Sequence, residues 1–323
     1  MTVPPLKETP TKRPKSDATP AAMRHPARKI VKPIILIGSG RSGTTLLGHI
    51  FSLHPDVAYW VEPRPIWMYR NAYRSDHHLL PENLTPAIAR YIDRRFARFL
   101  ARSGRSRFAE KTPSNGLRIP FIRALYPDCK IINIIRDGRA VVASTLKIQA
   151  HRPQMKRLFA RIVETPLWEW PAYVPIFFQT VWRTLILKKR SVFWGVRPAG
   201  WQEWVGLAPH IIAAKQWRRV VEISMGDGRA LPAENYLELR YERLVHEPAQ
   251  VMREMIEFTE LPPCQEMTDQ TVAIVDPSRA GKWKANLTEE QRREVMQEIE
   301  PLLGDLGYRD AAPRSQAPAA SKG

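Results

Sequence analysis

The sequence predicts an α/β protein: a P-loop-like parallel sheet with helices on both faces, carrying an aromatic helical insertion. Three observations predict it. Short apolar runs have the length and character of buried parallel strands, a glycine-rich loop follows the first run directly, and helical patterns alternate with strand patterns.

Ile34-Ile35-Leu36-Ile37 is the first strand candidate. Gly38 to Gly43 form a loop, and Thr44 opens a helix whose Leu46, Leu47, Ile50 and Phe51 share a face and which ends near Pro55. A second helix follows Thr85 as N-cap and Pro86 in the first turn, with Ile88, Ile92, Phe96 and Phe99 on one side. Ile131 to Ile135 is the second strand candidate, and Asp137-Gly138 leads into a helix through about Leu146. Tyr236 to Tyr241 is the third. Val251, Met255 and Phe258 mark a further helix, and Thr288 with Gln291 three residues on forms a capping box for the last one.

Residues 148–209 interrupt this alternation. They hold Trp168, Trp170, Trp182, Trp194, Trp201 and Trp204, and read either as a helical insertion packing its own small core or as an acceptor-binding lid. Within them Tyr173 to Leu187 is largely apolar and Lys188-Lys189-Arg190 follow at once. An aromatic amphipathic segment beside cations suits peripheral contact with an anionic membrane surface, and equally a folded lid with solvated charges. Residues 1–31 read as a disordered basic arm, 32–310 as the folded domain and 311–323 as a disordered Ala/Pro/Ser tail.

In 323 residues, 44% hydrophobic and 25% charged, the composition is that of an ordinary globular protein. The net charge of +18 is not ordinary and favours anionic partners. The basic residues are scattered, with no aromatic-interleaved RNA motif, so nucleic acid is not expected as a partner. Cys129 and Cys264, in unrelated contexts, read as two thiols in a reducing compartment. No membrane span and no signal-peptide core is apparent, which makes the expected location cytoplasmic.

Gly38-Ser39-Gly40-Arg41-Ser42-Gly43-Thr44-Thr45 stands where a phosphate-binding loop belongs. Backbone N–H groups of a glycine-rich turn, joined by a helix N-terminus, form a nest for anionic oxygens. Gly38 and Gly43 have the spacing of the nucleotide-triphosphatase loop, but Thr44 replaces its lysine and a cation appears inside the loop at Arg41. That change suits a single phosphate bearing another anionic group better than a Mg-bound triphosphate. A nucleoside or small-molecule kinase of the P-loop type is the alternative reading.

Arg41-Ser42-Gly43-Thr44-Thr45 after an apolar strand resembles the 5′-phosphosulfate loop of the sulfotransferase family, whose donor is 3′-phosphoadenosine 5′-phosphosulfate (PAPS). Arg136 at a strand end, with Ser144 eight residues later, resembles that family's 3′-phosphate motif. A charged fork and a short neutral donor both suit a terminal phosphate. The resemblance runs from about Lys32 to Tyr308, with residues 148–209 outside it. It implies a sulfuryl transfer from PAPS, the co-substrate, to a hydroxyl-bearing acceptor: a carbohydrate, glycolipid, small metabolite or tyrosyl protein.

Further roles come from the same resemblance. Lys111, in Glu110-Lys111-Thr112-Pro113, corresponds to the lysine beside the transferred group. Tyr241 is similar to a nucleotide-side tyrosine of protein-tyrosine sulfotransferases, and Lys282 lies in a late basic loop like the one that closes over the 3′-phosphate. Glu62, 21 residues after Arg41 with His54-Pro55-Asp56 between, matches the catalytic base of tyrosylprotein sulfotransferases. A carboxylate can take the proton that an acceptor hydroxyl loses as its S–O bond forms. The bland alternative for Glu62 is a solvated loop residue or a structural pair with Arg64. His54 is the competing base, since cytosolic members use histidine, but it reads as a helix end. His77-His78 have no partners at metal-ligand spacing, so no metal site is expected.

Overall fold

The computed structural model describes residues 29–151 and 195–308. Five parallel strands form one sheet: β1 (Ile34–Ile37), β2 (Val57–Val61), β3 (Arg107–Lys111), β4 (Lys130–Ile135) and β5 (Tyr236–Arg240), in the order β2-β3-β1-β4-β5. β1 and β4 are buried along their whole length, so β1 reads as an unbroken apolar run and β4, after Lys130, as one interrupted only by Asn133. β2 and β5, at the edges, grow more exposed.

The helices are α1 (Thr44–Ser52), the short α2 (Arg64–Trp67), α3 (Pro86–Ser103), α4 (Ile119–Leu125), α5 (Gly138–His151), α6 (Pro209–Arg229), α7 (Tyr241–His246), α8 (Pro248–Thr259), α9 (Gln265–Ile274) and α10 (Glu289–Asp305). α3 begins as its sequence demands: Thr85 accepts from the Ile88 amide at 3.3 Å, and Pro86 occupies the first turn. Thr288 and Gln291 close a reciprocal capping box on α10.

Strand alternation sorts the core into layers. Ile35, Ile37 and Ile131 face Ile92 and Phe96 of α3 and Phe121 and Leu125 of α4. Ile34, Leu36, Ile132 and Ile134 face Leu47 and Phe51 of α1, with Val251 and Met255 of α8 behind. Ile135 meets Val142 of α5, Trp217 of α6 and Ile299 of α10. Helices thus cover both faces. Because α1 and α5 leave adjacent strands toward opposite faces, a crevice opens at the carboxyl ends of β1 and β4.

The strand count corrects the sequence reading, which found three. β2 and β3 were legible only as segments of motif, and Tyr241 is the first residue of α7 and not the last of a strand. The folded region also starts earlier than Lys32: Ile30 is fully buried, and the amides of Lys29 and Ile30 donate to the Asp93 carboxylate. Neither Cys129, buried, nor Cys264, half-buried, forms a disulfide. Residues 1–28, 309–323 and most of the aromatic insertion, including 173–190 with its basic cluster, lie outside the described residues. No helix among the described residues is long and apolar enough to cross a membrane.

Candidate active site

The loop after β1 is shaped by backbone conformation. Gly38 and Gly43 have φ of 151° and 98°, and Arg41, which carries a side chain, sits at 72°. A Cβ on Gly43 would stand 2.5 Å from the Tyr241 ring, so glycine there serves both conformation and close approach. The Ser42 amide closes the turn on the Ser39 carbonyl at 3.1 Å, and the two hydroxyls meet at 2.6 Å. α1 begins at once, with no side chain capping its N-terminus. Left-handed residues followed by uncapped helix amides make a concave, partly positive seat for an anion.

Beside this loop lies a cluster that holds four of the sequence candidates together. Arg136 leaves the end of β4 with its guanidinium 4.2 Å from the centre of the Tyr241 ring, and it donates to the carbonyls of Arg41 at 3.4 Å and Arg279 at 2.9 Å. The Arg136 carbonyl accepts from Trp217 Nε1 at 3.0 Å. Arg41 in turn donates from Nε to the Ser144 hydroxyl on α5 at 3.2 Å. The backbone of Lys282 follows Arg279 in a 3-10 turn, Lys282–Ala285, and its side chain is outside the described part.

At the other end of the crevice, Glu62 stands just past β2 at a φ of 50°. Its amide donates to the Lys111 carbonyl at 2.9 Å, which fixes it beside the end of β3. Lys111 Nζ, on a side chain only 4% exposed, lies 2.7 Å from Glu62 Oε1; Arg64 reaches Oε2 at 2.9 Å. The Glu62 side chain is 33% exposed, so it is open to a small partner.

A cavity of about 330 Å³ joins the two ends, lined by Arg41, Thr44, Thr45, Glu62 and Lys111. Ser42, Gly43, Arg136, Ser144 and Tyr241 do not line it; Arg136 and Ser144 are joined to it through their hydrogen bonds with Arg41. The opposite wall includes Val196, inside the 148–209 stretch that the lid reading covers; its other residues, Val141 and Thr145 of α5 and Ala213, Gln216, Trp217 and Val220 of α6, were not foreseen, nor was Arg64 as a cleft residue. α6 carries no motif chemistry, so its apolar side chains offered no signal. His54 is elsewhere: it is buried, its Nδ1 accepts from the Asp56 amide at 3.1 Å and its Nε2 lies 2.9 Å from the Pro262 carbonyl. Both ring nitrogens serve the fold.

Sequence reasoning also passed over Glu110. It is fully buried and accepts from Thr112 Oγ1 and Asn115 Nδ2, each at 2.6 Å. Burial pushes its carboxyl up to about 7, against the downward pull of those hydrogen bonds and of the Arg118 charge. Among the described residues no cluster of His, Cys, Asp or Glu could hold a metal ion.

A family profile described as "Sulfotransferase family" matches residues 33–176 and 183–266. The nodulation protein NoeE of Sinorhizobium fredii is 29% identical over 124 residues, 34% of this chain and 30% of that protein. The protein-tyrosine sulfotransferase of Drosophila melanogaster is 21% identical over 312 residues, 85% of this chain and 52% of the fly protein. The chain thus spans about a third to a half of the length of these relatives. Among solved structures, the sulfotransferase domain of the curacin biosynthetic pathway superposes with a TM-score of 0.53 at 15% identity, covering 88% of this chain and all of that domain. The sulfotransferase domain of the Synechococcus PCC 7002 olefin synthase gives 0.51 at 19% identity, covering 86% and 97%. At such identities the two structures bear on the fold alone.

Proposed function

The chain belongs to the sulfotransferase family, and from that premise we propose that it transfers a sulfuryl group from PAPS to the hydroxyl of an acceptor. One observation carries the reading. Arg41, Glu62, Lys111, Arg136 and Tyr241 come from the carboxyl ends of all five parallel strands: Arg41, Glu62 and Lys111 line one cavity, and Arg136, stacked on Tyr241, is joined to it through the Arg41 carbonyl.

The residues present fit a nucleotide with phosphates at both ends. The Arg41–Thr45 loop and the start of α1 would hold the 5′-phosphate. Arg136 and Ser144, with Tyr241 beneath the guanidinium and Lys282 on the neighbouring turn, would hold the 3′-phosphate. PAPS bound there supplies a sulfuryl group with a phosphate as its leaving group.

Glu62 takes the proton from the acceptor hydroxyl as its oxygen bonds to sulfur. The bond between sulfur and the bridging oxygen breaks, and Lys111 neutralises the charge that collects there. Adenosine 3′,5′-bisphosphate and a sulfate ester are the products. Glu62 and Lys111 are in direct contact at 2.7 Å, so their ion pair must part for them to act on opposite sides of the same sulfur. Relatives named for tyrosine sulfation make a tyrosyl peptide the first acceptor to try. The kinase reading finds no support among these relatives, and Thr44 stands where a kinase loop carries its lysine.

Incubation with sulfur-labelled PAPS, a tyrosyl peptide and, separately, a cell lysate tests the proposal. Label transferred to a hydroxyl, without added metal, is the expected result. No transfer, together with no binding of adenosine 3′,5′-bisphosphate, would overturn it.

A further inference from the structure

We infer that Glu110 is a positioning residue: its buried carboxyl group pegs the turn after Lys111 to the sheet and, through that turn, sets the order of the rim around the Glu62 end of the cleft. Strand alternation gives Lys111 and Glu110 opposite faces of β3, one toward the cleft and one into the interior. The two carboxyl oxygens are used separately, one by Asn115 and one by Thr112. Around them β1 contributes apolar Ile35, register partner of Glu110, and the Leu36 carbonyl that accepts from the Thr112 amide. Tyr59 on β2 feels the Glu110 charge, and Arg118 faces it from the N-terminus of α4.

The peg has reach. Asn115 sits in the 3-10 turn Pro113–Leu117, whose Pro113 lines the cleft and whose Leu117 packs on Val196 and Val220, two further lining residues. Arg118 closes the turn by donating its amide to the Asn115 carbonyl at 3.1 Å, and its guanidinium reaches the His77 carbonyl, also at 3.1 Å. His77 and Arg197 exchange backbone and ring hydrogen bonds at 2.8 and 3.1 Å, and Trp201 Nε1 donates to the Ser75 carbonyl at 2.9 Å. Thus 75–78 and 195–202, far apart in the chain, are tied to one another and rooted in the turn that Glu110 holds.

The arrangement is sensitive to pH. Burial pushes the Glu110 carboxyl up to about 7. An opened rim would return it to water and to an ordinary carboxylate. The closed rim therefore binds the proton more tightly, is favoured while Glu110 is neutral, and yields as the pH rises through 7. This inference rests on the cleft being the acceptor site, but its test needs no acceptor.

Hydrogen exchange is measured at pH 6 and pH 8, corrected for the intrinsic rate, on the wild type and on Glu110→Gln. The amide side chain keeps an acceptor for Asn115, can donate to the Thr112 hydroxyl, and does not titrate. In the wild type, protection of 75–78, 113–118 and 195–202 should fall about tenfold between the two pH values; in Glu110→Gln it should stay at the pH 6 level. Constant protection in the wild type, or an equal fall in the variant (which would move the titration to His77), overturns the inference. If Glu110→Gln does not fold, Asn115→Ala decides: faster rim exchange at both pH values with the 38–43 loop unchanged supports the peg, and unchanged rim exchange refutes it. Calorimetry with adenosine 3′,5′-bisphosphate runs alongside. Its failure in the wild type would undo the sulfotransferase reading while leaving the exchange result intact.

Discussion

Lys111 Nζ sits 2.7 Å from Glu62 Oε1 while Arg64 occupies the other oxygen of the same carboxylate at 2.9 Å. The residue proposed to receive the acceptor proton and the residue proposed to steady the leaving oxygen are therefore partners before any substrate arrives. Acceptor and donor must each capture one of them, so assembly of the reacting groups and breaking of the pair are the same event.

Glu62→Gln keeps the shape of the side chain and removes the proton acceptor. Turnover of labelled PAPS should fall by about 10²–10⁴, with affinity for adenosine 3′,5′-bisphosphate near that of the wild type. His54→Gln should instead lower the melting temperature with little effect on turnover, because its ring is bonded to Pro262 and Asp56. Single-turnover assays of both variants check the pair, and the reverse ranking would move the base to His54.

Arg136→Ala should erase most of the preference for adenosine 3′,5′-bisphosphate over 5′-AMP. Removing one partner of a buried charged contact costs about 2–5 kcal/mol, whereas 5′-AMP never uses that contact. Calorimetry on both nucleotides is the measurement. A wild type that binds the two equally would contradict the PAPS assignment.

How much of this was legible follows from what each element buries. β1 and β4 have helices on both faces and so are mostly Ile and Leu, apart from Lys130, paired with Glu260, and Asn133, which donates to Ser224 and Tyr236. β3 ends in Glu110-Lys111, both buried, one by hydrogen bonds and one by an ion pair, so its polarity hid a central strand. β2 is an edge strand whose Trp60 and Tyr59 are half-exposed. The loop and the residues at strand ends stood out in the sequence because their types are those that phosphate chemistry would restrict. Trp217 was not: its link to the site is a hydrogen bond to the Arg136 carbonyl from 81 residues away. Glu110 lay inside a noticed motif, but burial is what distinguishes it, and that appears only in three dimensions.

Glu110→Gln should also change how global stability depends on pH. The native carboxyl titrates near 7 and the unfolded one near its ordinary value of 4.5. The native state thus holds the proton more tightly, and its contribution is fully present below 4.5 and lost as the pH rises through 7. Urea titrations at pH 5 and pH 8 should show the glutamine variant gaining about 2–3 kcal/mol on the wild type. Parallel pH profiles would mean that Glu110 does not titrate in this range.

Gly43→Ala tests the junction of loop and nucleotide cluster. The position has a φ of 98°, where an L side chain is strained, and the new methyl would stand 2.5 Å from the Tyr241 ring. Strain of this kind costs about 1–3 kcal/mol, and the ring can retreat only by disturbing the Arg136 guanidinium stacked 4.2 Å from its centre. The variant should therefore melt a few degrees lower and bind adenosine 3′,5′-bisphosphate at least about tenfold more weakly. Gly40→Ala, three residues away, is the control, because a Cβ there meets nothing within 4 Å. Its melting temperature should match the wild type. Gly43→Ala should cost less stability on a Tyr241→Ala background than in the wild type, because the clash is gone, while affinity stays low in both, since the platform under Arg136 is gone. A Gly43→Ala protein that melts and binds like the wild type would show that the loop and Tyr241 do not press on each other.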